Sequence, residues 1–116
     1  MHDHAHWGII KGEGGARMSE PYTIEQLKAR LTPVFEKNHV RRATLFGSYG
    51  KGSASARSDV DLLVDSGLIG IGFFGLLEDV CASLDCPVDL IDVADVIPDS
   101  RLDREIRRSG VTIYEQ

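Results

Sequence analysis

Long apolar runs are missing from this chain. No stretch approaches the length a helix needs to cross a bilayer, and Ile9-Ile10 is too short for the core of a secretory signal. Cysteine is scarce. The two thiols, Cys81 inside an apolar helical pattern and Cys86 just before a proline, suit neither a zinc set nor a disulfide framework, so ordinary thiols in a reducing cytoplasm are expected. Positive charge is also in deficit, with 13 Lys and Arg against 18 Asp and Glu for a formal net charge of -5. Gripping a phosphate backbone draws on clustered basic side chains, so a template-reading polymerase or other general nucleic-acid binder is not expected. Length is limited too: 116 residues make one domain and no second lobe, so a large acceptor has to come from a partner.

What is present falls into a leader and a domain. Residues 1–17 carry alternating His2, His4 and His6 followed by Gly12, Gly14 and Gly15, and Met18 reads as a natural start, so 1–17 is expected to be a flexible leader or an alternative start and 18–116 the domain. Thr23 and Gln26 form a capping box, and Ile24, Leu27, Leu31, Val34 and Phe35 then recur at helical spacing. Pro33 predicts a kink or break over Arg30 to Pro33, and Asn38 or His39 the end of the helix. Strands are expected at Val40 to Phe46, Asp59 to Asp65 and Val88 to Val93. A crossover helix over Ile71 to Leu84 is expected to bury Phe73, Phe74, Leu76, Leu77, Val80 and Leu84. Asp99 or Ser100 caps a last helix, Arg101 to Ser109, stopped by Gly110, and Val111 to Tyr114 makes a short edge strand. The class is α/β, a small mixed β-sheet with helices packed on it.

The chemistry gathers on Gly47-Ser48, ten residues of spacer, then Asp59-Val60-Asp61 opening an apolar strand. A Gly-Ser turn where a strand opens into a short helix leaves backbone N–H groups for an anion. Ser48 adds a hydroxyl. Lys51, one turn on, balances phosphate charge or is a solvated surface lysine, and the two readings stay open. Asp59 and Asp61 project to one face of the strand while Val60 turns into the core. Two carboxylates that close repel unless a cation keeps both ionised, and Mg²⁺ fills that role with few protein ligands, leaving room for water and triphosphate oxygens. Asp89 on the following strand completes the set, with Asp65, Asp85 and Asp92 as rivals. Two ions about 3.5–4 Å apart suit nucleotidyl transfer from a nucleoside triphosphate, with Asp59 and Asp61 bridging and Asp89 beside the acceptor hydroxyl. Each part alone is common. Their joint occurrence in this order is what carries the reading.

Gly47-Ser48-Tyr49, Gly52, Ser58-Asp59-Val60-Asp61-Leu62-Leu63-Val64 and Val88-Asp89-Leu90 resemble the signature of the nucleotidyltransferase superfamily that includes DNA polymerase β, and above all its minimal nucleotidyltransferase domains. The resemblance covers Thr23 to Glu115. It implies a polymerase β palm-like fold and an antitoxin that transfers AMP from ATP to a tyrosine hydroxyl of a small all-helical RNA-cutting toxin of the HEPN type. It also implies that Gly47 and Ser48 hold triphosphate and that Asp59, Asp61 and Asp89 hold magnesium. Lys51 stands where the family often has Arg, and Arg57 where acidic or neutral residues are usual. Arg101, Arg104 and Arg108 share a face of the last helix, for a partner or simply for solvent. Two alternatives remain: an antitoxin that neutralises by binding alone, and a nucleotidyltransferase acting on a small molecule such as an antibiotic.

Overall fold

The computed structural model describes residues 9–12 and 20–116. Five strands form one mixed sheet: β1 (Ile9–Gly12), β2 (Arg42–Phe46), β3 (Val60–Asp65), β4 (Val88–Asp92) and β5 (Val111–Glu115), in the spatial order β1-β4-β3-β2-β5. β3 and β4 run parallel and every other pairing is antiparallel. A parallel pair needs a crossover, and α3 (Ile71–Ser83) supplies it. β1 falls within the segment expected to be a leader. The rest of that segment, including His2, His4 and His6, lies outside the described residues.

α1 (Ile24–Lys37) opens on the expected box: Thr23 accepts from the Gln26 amide and the Gln26 side chain accepts from the Thr23 amide. The helix then runs unbroken through Pro33 to the cap at Asn38, so the expected break is absent. Leu27, Leu31 and Phe35 are fully buried on both sides of the proline, and that packing offsets the one lost backbone hydrogen bond. α3 buries Phe73, Leu76, Leu77 and Val80, with Leu84 just beyond, but leaves Phe74 51 % exposed, contrary to expectation. The stripe was assigned one residue too many, because a helix this apolar has more apolar positions than one face can bury.

α1 and α3 cover one face of the sheet. There Val60, Leu62 and Val64 of β3 meet Ala43, Leu45, Val88 and Leu90 in the main core. On the opposite face Phe46, Ile91 and Ile106 form a smaller cluster under α4 (Arg101–Ser109). Ser100 caps α4 by accepting from the Asp103 amide, and Gly110 ends it. Gly110 has an ordinary φ of -72; glycine is needed because a Cβ would strike the Ile106 carbonyl and Thr44. Among the described residues no helix is long and apolar enough to cross a membrane.

Candidate active site

β2 ends at Phe46 and the chain turns at once into α2 (Gly47–Lys51). The turn needs glycine twice over. Gly47 sits at φ +68, a left-handed conformation that costs other residues energy. A Cβ there would also collide with Asp61 Oδ2. The sheet register sets up this closeness, because Phe46 lies opposite Asp61.

The same register places Asp61 beside Asp89 on the parallel neighbour β4. Adjacent strands are about 4.8 Å apart, and both side chains leave the same face. Asp61 and Asp89 line one cavity of about 100 Å³ with Phe46, Ile91 and Leu102. Asp59 stands one residue before β3, where the Val60 amide donates to the Pro87 carbonyl at 2.9 Å. Its charge is felt by Cys86, whose thiol is pushed up to about 11 by burial first and by Asp59 next.

The rivals to Asp89 are placed elsewhere. Asp92 is buried and accepts from Ser66 N and Oγ at 3.0 and 2.6 Å and from the Ala94 amide at 2.9 Å, which joins the ends of β3 and β4. Asp65 lines a separate groove of about 390 Å³ with Arg42 and Arg107. Asp85 is exposed, and its amide donates to the Tyr22 hydroxyl.

On the phosphate side, Ser48 is partly exposed and Tyr49 is buried, its hydroxyl accepting from the Tyr22 amide at 3.3 Å. The Gly47 amide is turned toward α4 and donates to Ser109 Oγ at 3.3 Å, which leaves Ser48 as the first donor of the turn available to an anion. Lys51 Nζ lies 3.3 Å from Glu105 Oε2. Glu105 also receives Arg108 at 3.4 Å, and its carboxyl is held below its usual range, first by the hydrogen bond from Lys51. Sequence reasoning missed Ser109 and Glu105. Ser109 reaches Gly47 across 62 residues of chain, and Ser109 and Glu105 both lie in a helix with no local signal tying it to Gly47-Ser48. Arg104 is committed to the Asp99 carbonyl at 2.6 Å, so α4 presents no continuous basic stripe.

The donor set fits magnesium. Among the described residues no group of three His, Cys, Asp or Glu side chains stands close enough to cage a metal ion. Magnesium does not need such a cage: it takes one or two carboxylates and fills its octahedron with water and substrate phosphates. Asp61 and Asp89 on one cavity, with Asp59 two residues before Asp61 and just outside β3, supply that kind of partial shell.

The family profile described as polymerase beta, nucleotidyltransferase matches residues 29–116. This chain belongs to the polymerase beta nucleotidyltransferase family. The match spans the phosphate turn, all three aspartates and α4. A Methanocaldococcus jannaschii protein whose name assigns it protein adenylyltransferase activity is 39 % identical over 44 residues, 38 % of this chain and 47 % of that protein. The chain thus matches about half the length of this curated relative. Among solved structures, a toxin-antitoxin crystal structure with AMP-PNP superposes with a TM-score of 0.65 at 24 % identity, over 77 % of this chain and 73 % of the other. A complex of a tri-AMPylated Shewanella oneidensis HEPN toxin with an MNT antitoxin superposes at 0.61 and 21 % identity, over 80 % and 73 %. These likenesses place the chain in the nucleotidyltransferase fold, a mixed sheet with helices packed on it.

Proposed function

We propose that this chain is a magnesium-dependent adenylyltransferase that moves AMP from ATP to a hydroxyl, tyrosine foremost, on a HEPN-type toxin, and so acts as its antitoxin. The observation that carries the reading is the row Phe46, Asp61, Asp89 across three strands, with Gly47 wedged against the Asp61 carboxylate. A phosphate turn and two metal-binding carboxylates thereby share one corner of the sheet. The names of the relatives supply the substrate class: protein adenylyltransferase in one, an AMPylated HEPN toxin in another.

In this reading the Ser48 amide and hydroxyl hold triphosphate oxygens, and Lys51 adds charge beside them. Asp59, Asp61 and Asp89 would hold magnesium, which would supply charge stabilisation for the leaving pyrophosphate and lower the pKa of the acceptor hydroxyl. The acceptor oxygen forms a bond to the α-phosphorus as the bond to the β-phosphate oxygen breaks. Asp89 receives the hydroxyl proton and pyrophosphate leaves. Ile69, Ile71 and Phe74, exposed by 86, 90 and 51 % around the start of α3, offer apolar surface for docking.

The test is to incubate the purified chain with ATP, magnesium and the protein encoded beside it, then weigh both proteins. The partner gains one or more AMP masses, and Asp59→Ala with Asp61→Ala abolishes the gain. A partner silenced without any mass change establishes the binding-only antitoxin instead. AMP appearing on a hydroxylated antibiotic while the partner stays unmodified establishes the small-molecule enzyme.

A further inference from the structure

We infer that Ser109, through its hydroxyl, is a positioning residue for the nucleotidyl transfer, an inference that rests on the function proposed above. Ser109 is 7 % exposed at the end of α4. Its Oγ donates to the Glu105 carbonyl at 2.9 Å, the back-bond a helical serine makes one turn upstream. The hydroxyl also lies 3.3 Å from Glu105 Oε2, so its proton serves Glu105 while a lone pair accepts the Gly47 amide at 3.3 Å. That amide is the first of α2, a donor that the helix itself cannot satisfy.

The hydroxyl is one part of a wider contact that fixes the turn on α4. A Cβ on Gly50 would collide with the Ser109 carbonyl oxygen, so α2 approaches the end of α4 as closely as glycine permits. Lys51 is tied to Glu105 one turn back along α4. On its other side Gly47 abuts Asp61. Gly47 is therefore held between Ser109 behind it and a metal-binding carboxylate in front. Movement at the Ser109 contact changes the distance between the triphosphate donors of the turn and Asp61. Transfer depends on that distance, because an in-line attack loses about a hundredfold for a misplacement near 1 Å.

Ser109→Ala removes the acceptor, and Ser109→Cys keeps the size with a weak acceptor in its place. Ser109→Thr keeps the hydroxyl and its back-bond. AMP transfer to the partner is measured for all three against the unsubstituted chain as kcat and KM for ATP, per folded molecule, with thermal melts alongside. The expected result is kcat lowered about tenfold in Ser109→Ala and Ser109→Cys, melting points close to the parent, and recovery of most of the activity in Ser109→Thr. A kcat within twofold of the parent in Ser109→Ala overturns the inference. So does a loss in Ser109→Thr equal to that in Ser109→Ala, or a loss that follows the melting point alone. Absence of transfer by the unsubstituted chain is a different outcome: it removes the proposed function and the role of Ser109 with it.

Discussion

The two faces of β3 divide the labour of the molecule. Val60, Leu62 and Val64 point one way and are fully sealed beneath α1 and α3. Asp61, Leu63 and Asp65 point the other way and stay partly open beside α4. A strand offers this division at no extra length, because alternate residues face opposite sides. One face anchors the sheet and the other uses the rigidity so gained. A carboxylate pair on neighbouring strands can be held against its own repulsion only where the backbone beneath it cannot move.

If the division is real, neighbouring residues respond oppositely to substitution. Asp61→Asn keeps the shape of the side chain and removes half of the charge pair with Asp89. AMP transfer falls about a hundred- to a thousandfold, while the loss of stability is smaller than at a buried apolar position. Leu62→Ala, one residue on, costs about 2–5 kcal/mol of stability, since it empties a fully buried site. The molecules that remain folded transfer AMP normally. Chemical denaturation paired with the mass assay reads both. Equal loss of stability in the two variants breaks the comparison.

Much of this division was legible in the sequence. Asp-x-Asp before an apolar run carries the period of two, the capping box marks the start of α1, and Ser100 and Gly110 mark the ends of α4. Local pattern failed where tertiary packing decides. Pro33 reads as a breaker, yet Leu31 and Phe35 anchor the helix across it. Phe74 reads as core, yet the arc of α3 facing the sheet is already filled. Gly110 reads as a conformational cap, yet the crowding by Thr44 and Ile106 demands it. At the site, the spacing picks out Asp61 and Asp89, which the strand register sets side by side. Ser109 could not be found this way, since its relation to Gly47 exists only once α4 is laid across the end of β2.

The sealed side also predicts a response to alkali. Cys86 is 3 % exposed, and burial raises its thiol from 9.0 to about 11. The unfolded thiol ionises near pH 9 and the folded one two units later, so the unfolded state binds fewer protons between them. Stability is therefore full below pH 9 and falls as pH rises through 11, by about 3 kcal/mol at most from this group. Tyr49, raised chiefly by burial, adds a loss of the same sign above pH 10. Denaturant titrations at pH 8 and pH 11 measure the fall, and Cys86→Ala flattens its lower part. An unchanged slope in that variant means that another group carries the dependence.

The smallest effect asks how separate the two faces are. Thr23 caps α1 from an exposed position on the sealed side. Thr23→Ala removes the side-chain acceptor and costs about 1 kcal/mol, a fall in melting point of about 5 °C. Independent faces predict unchanged AMP transfer at 25 °C. The two faces do touch: the Tyr22 amide, next to the cap, donates to the hydroxyl of Tyr49 inside α2. That bond is the direct route by which a loosened cap reaches the phosphate turn. If transfer falls in Thr23→Ala, the decisive comparison is Tyr49→Phe, which removes the acceptor and keeps the ring. The same loss in Tyr49→Phe, with no further loss in the double variant, locates the coupling in this bond. Additive losses place it elsewhere in the core.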